Sequence, residues 1–381
     1  MNKKVAIVVC AFPPQGGGIG NNAYYHLREL KKIGYEAKVF TPKYKDIKNI
    51  SGGDVEYLSV VWAVGKAGFL FSLYNRLKGF DVIHLYYPFF GTDLIVLIFK
   101  FFHPHKKLVL HYQMDPIGYG YRKFIFKLHL KLFLPFLIIM SEKIIMLSKD
   151  NAQHSYLRGY IKKYKNKFVA ISNGVDATVF KPASKNWQLA EQYHISENDQ
   201  VIVFAGGLDD QHFFKGVDVL LKSFALVSQK NNNAKLMVIG GGNRRNYYEK
   251  LAQDLNLSEK VIFTGWINNE ALPDYYNLGD IFVLPSTEKT ESFGIVIAEA
   301  QACGLPALVS NWPGSRLTIE DNKTGFLVEP KNEQDLSEKI IKLLNDDDLR
   351  KKMSQSASLR AREKYSWDYV TLKIDSLYKD L

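Results

Sequence analysis

Glu291-Ser292-Phe293-Gly294-Ile295-Val296-Ile297-Ala298-Glu299 runs on into Ala300-Gln301-Ala302-Cys303-Gly304-Leu305-Pro306-Ala307-Leu308-Val309. The pattern predicts a polar turn, an apolar helix over 295–303 and a buried strand over 307–310, which is one repeat of a parallel α/β sheet. Were residues 291–299 a single helix, at 100° per residue the two carboxylates would point about 80° apart. They converge on one ligand only if 292–294 is a loop, which Gly294 permits because it tolerates positive φ. A helix starting near Ile295 then offers free N–H groups to an anion, with one carboxylate before it and one about a turn inside. Two surface glutamates flanking a core helix would give the same letters, so the rest of the chain has to discriminate.

The alternation continues on both sides. In the N-terminal half, residues 4–10 read as a buried strand and Pro13-Pro14-Gln15-Gly16-Gly17-Gly18-Ile19-Gly20 as a glycine loop, followed by a helix with Ala23, Leu27 and Leu30 on one face. Strand, glycine loop and helix make a phosphate-approach unit, because missing Cβ atoms let amides come near an anion. The loop fits Gly-x-Gly-x-x-Ala, yet the strand over 36–41 continues as Pro42-Lys43 and lacks the acidic residue of a dinucleotide site. Residues 81–85 and 107–111 read as further strands ending in His84 and His111, at the edge where ligands of parallel sheets gather. After a polar stretch over 181–198 the pattern restarts, with strands over 201–205, 235–239, 261–264 and 281–284. Carboxylates at both ends of Glu291 to Glu299, with a helix end between them, form a layout for a sugar, a diphosphate and a ribose in sequence.

Taken together, these stretches resemble the retaining glycosyltransferases of family four, the glycogen-synthase-like type. Glu-(seven residues)-Glu, Ser172-Asn173-Gly174-Val175-Asp176, Val203-Phe204-Ala205-Gly206-Gly207-Leu208, Lys215-Gly216-Val217-Asp218, Phe263-Thr264-Gly265, Leu284-Pro285-Ser286 and Thr324-Gly325-Phe326-Leu327-Val328 stand in that family's order. The resemblance implies a GT-B fold: an acceptor-binding Rossmann-like domain over 1–180, a donor-binding one over 181–360 facing it across a cleft, and a terminal helix over 361–381 crossing back. It implies a nucleoside-diphosphate sugar as donor and a lipid-linked or cell-surface glycan as acceptor, joined by a front-face reaction without metal or other cofactor. His111, Lys215 and Glu291 take the catalytic places. Gly17, Gly18, Gly207, Lys215, Arg316, Glu291, Ser292, Phe293, Gly294, Ile295 and Glu299 take the donor, with Glu291 on sugar hydroxyls and Glu299 on the ribose. Two departures stand out: Gly207 occupies the place of an Arg that commonly holds phosphate, and 209–214 is longer than the usual form. A nucleotide-sugar-binding module without turnover, a phosphorylase and an epimerase share the architecture and remain alternatives.

Charge is uneven. Residues 1–180 hold 26 Lys and Arg against 11 Asp and Glu, a net +15, and the remainder carries −4. No nucleic-acid motif accompanies this, so an anionic membrane surface is the expected partner of the basic half. Arg122, Lys123, Lys127 and Lys131 run beside Phe124, Phe126, Leu128 and Leu132 as an amphipathic helix, which either meets a membrane or buries its apolar side in the domain. Pro135 should end it. Cys10 and Cys303 give neither a disulfide framework nor metal spacing, and Asp346-Asp347-Asp348 reads as a helix cap. No stretch approaches the roughly 20 apolar residues of a spanning helix, so the expected place is the cytoplasm, at most on the inner face of the membrane.

Overall fold

The computed structural model describes residues 3–13, 17–44, 53–64, 67–116 and 120–381, with the side chains of 121 and 122 excepted. Pro14, Gln15 and Gly16 of the glycine loop, and the Arg122 side chain, therefore lie outside the described residues. The chain forms two compact units, Met1–Gly174 with Trp367–Leu381, and Val175–Ser366.

The first unit holds strands β1 (Lys4–Val8), β2 (Glu36–Lys43), β3 (Val55–Ser59), β4 (Val61–Val64), β5 (Ala67–Phe69), β6 (Val82–Tyr87), β7 (Lys107–Tyr112), β8 (Lys143–Met146) and β9 (Phe168–Ala170). Seven of them make one sheet in the order β3-β2-β1-β6-β7-β8-β9, and β4 and β5 pair as a separate hairpin. Every pairing in the seven-stranded sheet is parallel. Helices cover both faces, which is why β6 is buried at all six positions despite carrying a histidine and two tyrosines. Ile83, Leu85, Tyr87, Leu108 and Leu110 share a core with Val96 and Phe99 of helix Thr92–Phe102 and with Leu137 of helix Leu134–Met140. On the opposite face Val82, Tyr86 and Val109 pack with Ala23 and Leu27 of helix Gly18–Lys32 and with Val370, Ile374 and Tyr378 of helix Trp367–Lys379. Period-two alternation thus sends His84 and His111 toward the face under the terminal helix.

The second unit repeats the plan with β10 (Gln200–Ala205), β11 (Ala234–Ile239), β12 (Val261–Gly265), β13 (Ile281–Leu284), β14 (Ala307–Ser310) and β15 (Gly325–Val328), in the order β12-β11-β10-β13-β14-β15. Again all pairings are parallel. Strand order reverses between β10 and β13, so the loops that leave their carboxyl ends diverge and open a crevice. Those two loops carry Gly206 to Gly216 and Pro285 to Gly294.

Candidate active site

At this reversal point Lys215 and Glu291 meet, Nζ donating to Oε2 at 3.1 Å. Lys215 closes a 3-10 turn, Phe213–Lys215, and is only 9% exposed. Gly206 makes room for its stem, since a Cβ there would stand 2.6 Å from Lys215 Cδ. Gly216 follows in the left-handed region at φ 77° and starts helix Val217–Lys230. A side chain at Gly216 would run into the Pro285 carbonyl, so the two loops touch backbone to backbone. The Thr287 amide donates to the Phe214 carbonyl at 2.7 Å and locks that contact.

Residues 291–294 form a loop and the helix runs Ile295–Ala302, as the spacing requires if both carboxylates are to serve one ligand. Gly294 caps it at φ 76°, and among the described residues no side chain caps its amides. The first N–H groups of that helix are thus left for a ligand or solvent. Phe293 anchors the loop: its ring meets Tyr365 edge-on at 5.3 Å, and its carbonyl accepts from Thr318 Oγ1 at 2.5 Å. Glu299, half-buried on the helix, accepts from Tyr276 Oη at 3.1 Å. Burial pushes its carboxyl up to about 7, against the opposing pull of the Tyr276 bond and the Lys215 charge. Lys215, Glu291 and Glu299 therefore form one electrostatic group, though 84 residues separate the first from the last.

The two departures have a physical account. Asp209 accepts from the Gln211 amide at 2.8 Å, the His212 amide at 3.2 Å and His212 Nδ1 at 2.9 Å, which folds the long loop into a local turn. A Cβ at residue 207 would sit 2.7 Å from His212 Nδ1. Glycine at 207 and the inserted turn are thus one feature. Arg316 stands one loop over, after β14, with its guanidinium reaching Asn311 Oδ1 at 3.4 Å, and Trp312 Nε1 ties that loop to the Ser286 carbonyl at 3.0 Å. Trp266, 77% exposed directly after β12, escaped the sequence reading. Its place immediately beyond Phe263-Thr264-Gly265 was the available signal.

In the first unit, Gly17 and Gly18 are exposed where helix Gly18–Lys32 begins. Gly20 brings that helix against the segment that follows β1, a Cβ there falling 2.9 Å from the Ala11 carbonyl. His111 is buried and hydrogen-bonded through Nδ1 to His84 Nε2 at 3.0 Å, while its Nε2 has no partner among the described residues. The two histidines are neighbours in one network, so the choice between them becomes a question of which ring is free. Burial holds both imidazoles well below the ordinary range, hence neutral. Helix Tyr121–Leu132 packs through Phe126, stacked on Phe90 at 4.6 Å, and His129, 2.8 Å from Asp93 Oδ2. Phe124, Ile125, Leu128 and Leu132 are exposed, as are Lys123, Lys127 and Lys131. Leu130 is buried in the core and Phe126 is half-buried, so the apolar side is covered only in part, and the chain restarts as a second helix with Pro135 in its first turn. Asp346 accepts from the Leu349 amide at 2.9 Å and caps a helix. Among the described residues, no helix is long and apolar enough to cross a membrane.

Residues 185–360 match the family model described as "Glycosyl transferases group 1". An uncharacterized glycosyltransferase of Methanocaldococcus jannaschii is 26% identical over 395 residues, covering 99% of this chain and 98% of that protein. The GDP-mannose-dependent alpha-(1-6)-phosphatidylinositol monomannoside mannosyltransferase of Mycobacterium tuberculosis is 28% identical over 207 residues, 53% of this chain and 53% of that protein. Against that enzyme and others like it, the chain spans about half the relative's length. Among solved structures, Anabaena HepE in complex with UDP superposes with a TM-score of 0.80 at 19% identity, covering 99% of this chain and 100% of that one. A glycosyltransferase from Rickettsia africae gives 0.77 at 21% identity, covering 100% and 98%.

Proposed function

We propose, given that residues 185–360 match the group 1 glycosyltransferase model and that the chain has the GT-B fold, that it is a glycosyltransferase of that group and transfers a hexosyl unit from a nucleoside-diphosphate sugar to a glycan hydroxyl with retention at the anomeric carbon. The observation that carries this reading is the Lys215–Glu291 contact beside the uncapped start of helix Ile295–Ala302. As the anomeric bond breaks, negative charge gathers on the diphosphate. In this reading the Lys215 ammonium, the amides of Gly294 and Ile295, and Arg316 stabilise it, and such preorganised donors act most strongly in a partly desolvated site. Glu291 holds sugar hydroxyls, Glu299 holds the ribose, and Trp266 offers a face to the base. His111 assists at the sugar. Hydrolases that retain configuration use two carboxylates about 5 Å apart, one as nucleophile. Here the first carboxylate is tied to a lysine and the second to a tyrosine, which favours a front-face path in which the departing phosphate takes the acceptor proton. In this proposal the fixed cations and the helix end supply the charge stabilisation without a metal. The Anabaena structure contains UDP, which supports a nucleotide-sugar donor.

The acceptor we propose is a lipid-linked glycan reached from the inner face of the cytoplasmic membrane. Lys123, Lys127 and Lys131 interleave with Phe124 at 70% exposure, Ile125, Leu128 and Leu132, and the neighbouring helix exposes Phe101 and Phe102. Lysines around exposed aromatics suit anionic headgroups over acyl chains. Incubation with UDP-, GDP- and ADP-sugars, followed by product analysis, tests the reaction: a glycoside of retained configuration is expected. Sugar phosphate, an epimer or binding without turnover would instead support phosphorylase, epimerase or binding-module readings. Flotation with anionic and neutral vesicles tests the surface; equal recovery at low and high salt would remove it.

A further inference from the structure

His111 ends a buried chain of hydrogen bonds that crosses the first unit. His111 Nδ1 lies 3.0 Å from His84 Nε2, His84 Nδ1 lies 2.6 Å from Tyr378 Oη, and that oxygen lies 3.3 Å from His26 Nε2. His26 Nδ1 continues to Tyr86 Oη at 3.0 Å, Tyr86 donates to Asn22 Oδ1 at 3.0 Å, and Asn22 Nδ2 donates to Asn173 Oδ1. All seven side chains are buried. The three imidazoles are neutral: burial alone takes His26 down to about 3. A neutral imidazole has one N–H and one bare nitrogen, so each link dictates the next.

The chain has two self-consistent polarities. With Tyr86 donating to Asn22, its oxygen accepts from His26 Nδ1–H, which leaves His26 Nε2 bare to accept from Tyr378. Tyr378 then accepts from His84 Nδ1–H, His84 Nε2 accepts from His111 Nδ1–H, and His111 Nε2 is left with a lone pair. Reversal would leave a buried N–H at that same atom. The unpartnered end independently favours the first polarity, because an orphaned buried N–H is rarer than an under-satisfied acceptor.

We propose that Tyr378, His84 and His26 are positioning residues that fix the tautomer of His111, so that its bare Nε2 accepts a hydrogen bond from a substrate hydroxyl. The identification of that hydroxyl with a sugar's rests on the glycosyl-transfer reading; the tautomer does not. A site that accepts rejects ligands lacking the hydroxyl, since its own buried lone pair would stay unmet. The terminal helix thereby shapes selectivity although Tyr378 touches no substrate.

Ring-nitrogen NMR of the full-length, 15N-histidine-labelled protein is the test. The expected result is a pyridine-type shift at His111 Nε2 and a pyrrole-type shift at Nδ1. Tyr378→Phe removes the acceptor for His84 Nδ1–H, leaving the two polarities with equal numbers of unmet groups, so the His111 Nε2 signal should move toward the tautomer average. A pyrrole-type Nε2 in the unaltered protein overturns the proposal without any variant, and an unmoved signal in a folded Tyr378→Phe protein overturns the role of Tyr378. If the tautomer is as expected but no sugar nucleotide is turned over, only the assignment of the sugar hydroxyl falls.

Discussion

Lys215 shows how much depends on a single side chain. Its ammonium is held in a partly buried pair with Glu291 and acts within range of Glu299. Lys215→Met should lower turnover on the order of 100-fold, the usual size of losing one preorganised donor to a developing anion, while Glu291→Gln should alter sugar preference as well as rate. Steady-state kinetics on the donor found by screening separates the two. Glu299 adds a pH signature. Its carboxyl titrates near 7 in the folded chain against about 4.5 when unfolded, so the folded protein holds this proton more tightly. The associated stability is full below 4.5 and is lost as pH rises to 7. Thermal melts of Glu299→Gln should therefore gain on the unaltered protein across that window. Donor affinity runs the other way, rising through pH 7 as the carboxylate forms to accept ribose hydroxyls, and Glu299→Gln should flatten that rise. Gly207 makes a third case: Gly207→Arg alone should destabilise the loop by collision with His212, and His212→Ala should relieve it.

Loops and helices show which signals were local. Gly294 and Gly216 both sit at positive φ where a chain turns into a helix. Gly216→Ala should destabilise by roughly 1–2 kcal/mol from the left-handed backbone alone, with more from the Pro285 carbonyl, read as a shifted denaturation midpoint. Gly294, the helix after it and the strand end carrying His111 were legible from spacing, because period and turn chemistry act over a few residues; His84, expected at a strand end, is instead third of the six residues of β6, which runs on through Leu85, Tyr86 and Tyr87. The Tyr276 bond to Glu299, the Asp209–His212 turn and the hydrogen-bonded chain through His26 and Tyr378 were not legible. Tyr378 reaches His84 across 294 positions, and no periodicity records which helix will cover which end of a sheet. The amphipathic stretch from Tyr121 offered two readings, and the helix divides between them, burying Leu130 in the core while Phe124, Leu128 and Leu132 stay exposed.

At the scale of the molecule, the first unit is completed by the end of the chain. Trp367, Val370, Ile374, Leu377 and Tyr378 lie in its core, Tyr25 stacks on Trp367 at 5.7 Å, and Tyr35 donates to Asp375 at 2.7 Å. Truncation after Ser366 should leave the second unit folded and strip hydrogen-exchange protection from β1 and β6, whereas Leu381 alone should be dispensable. The second unit, matched by the family model over 185–360, brings Lys215, Glu291 and Glu299 to one sheet edge at its strand-order reversal. That this edge grips a diphosphate is the claim on which the functional account stands. Calorimetric titration of the protein with UDP, GDP and ADP, beside Lys215→Met, tests it most directly. Saturable binding of at least one nucleotide, weakened about tenfold or ~1.4 kcal/mol in the variant, is the predicted result; equal affinity of the two proteins, or no binding of any of the three nucleotides, would contradict it.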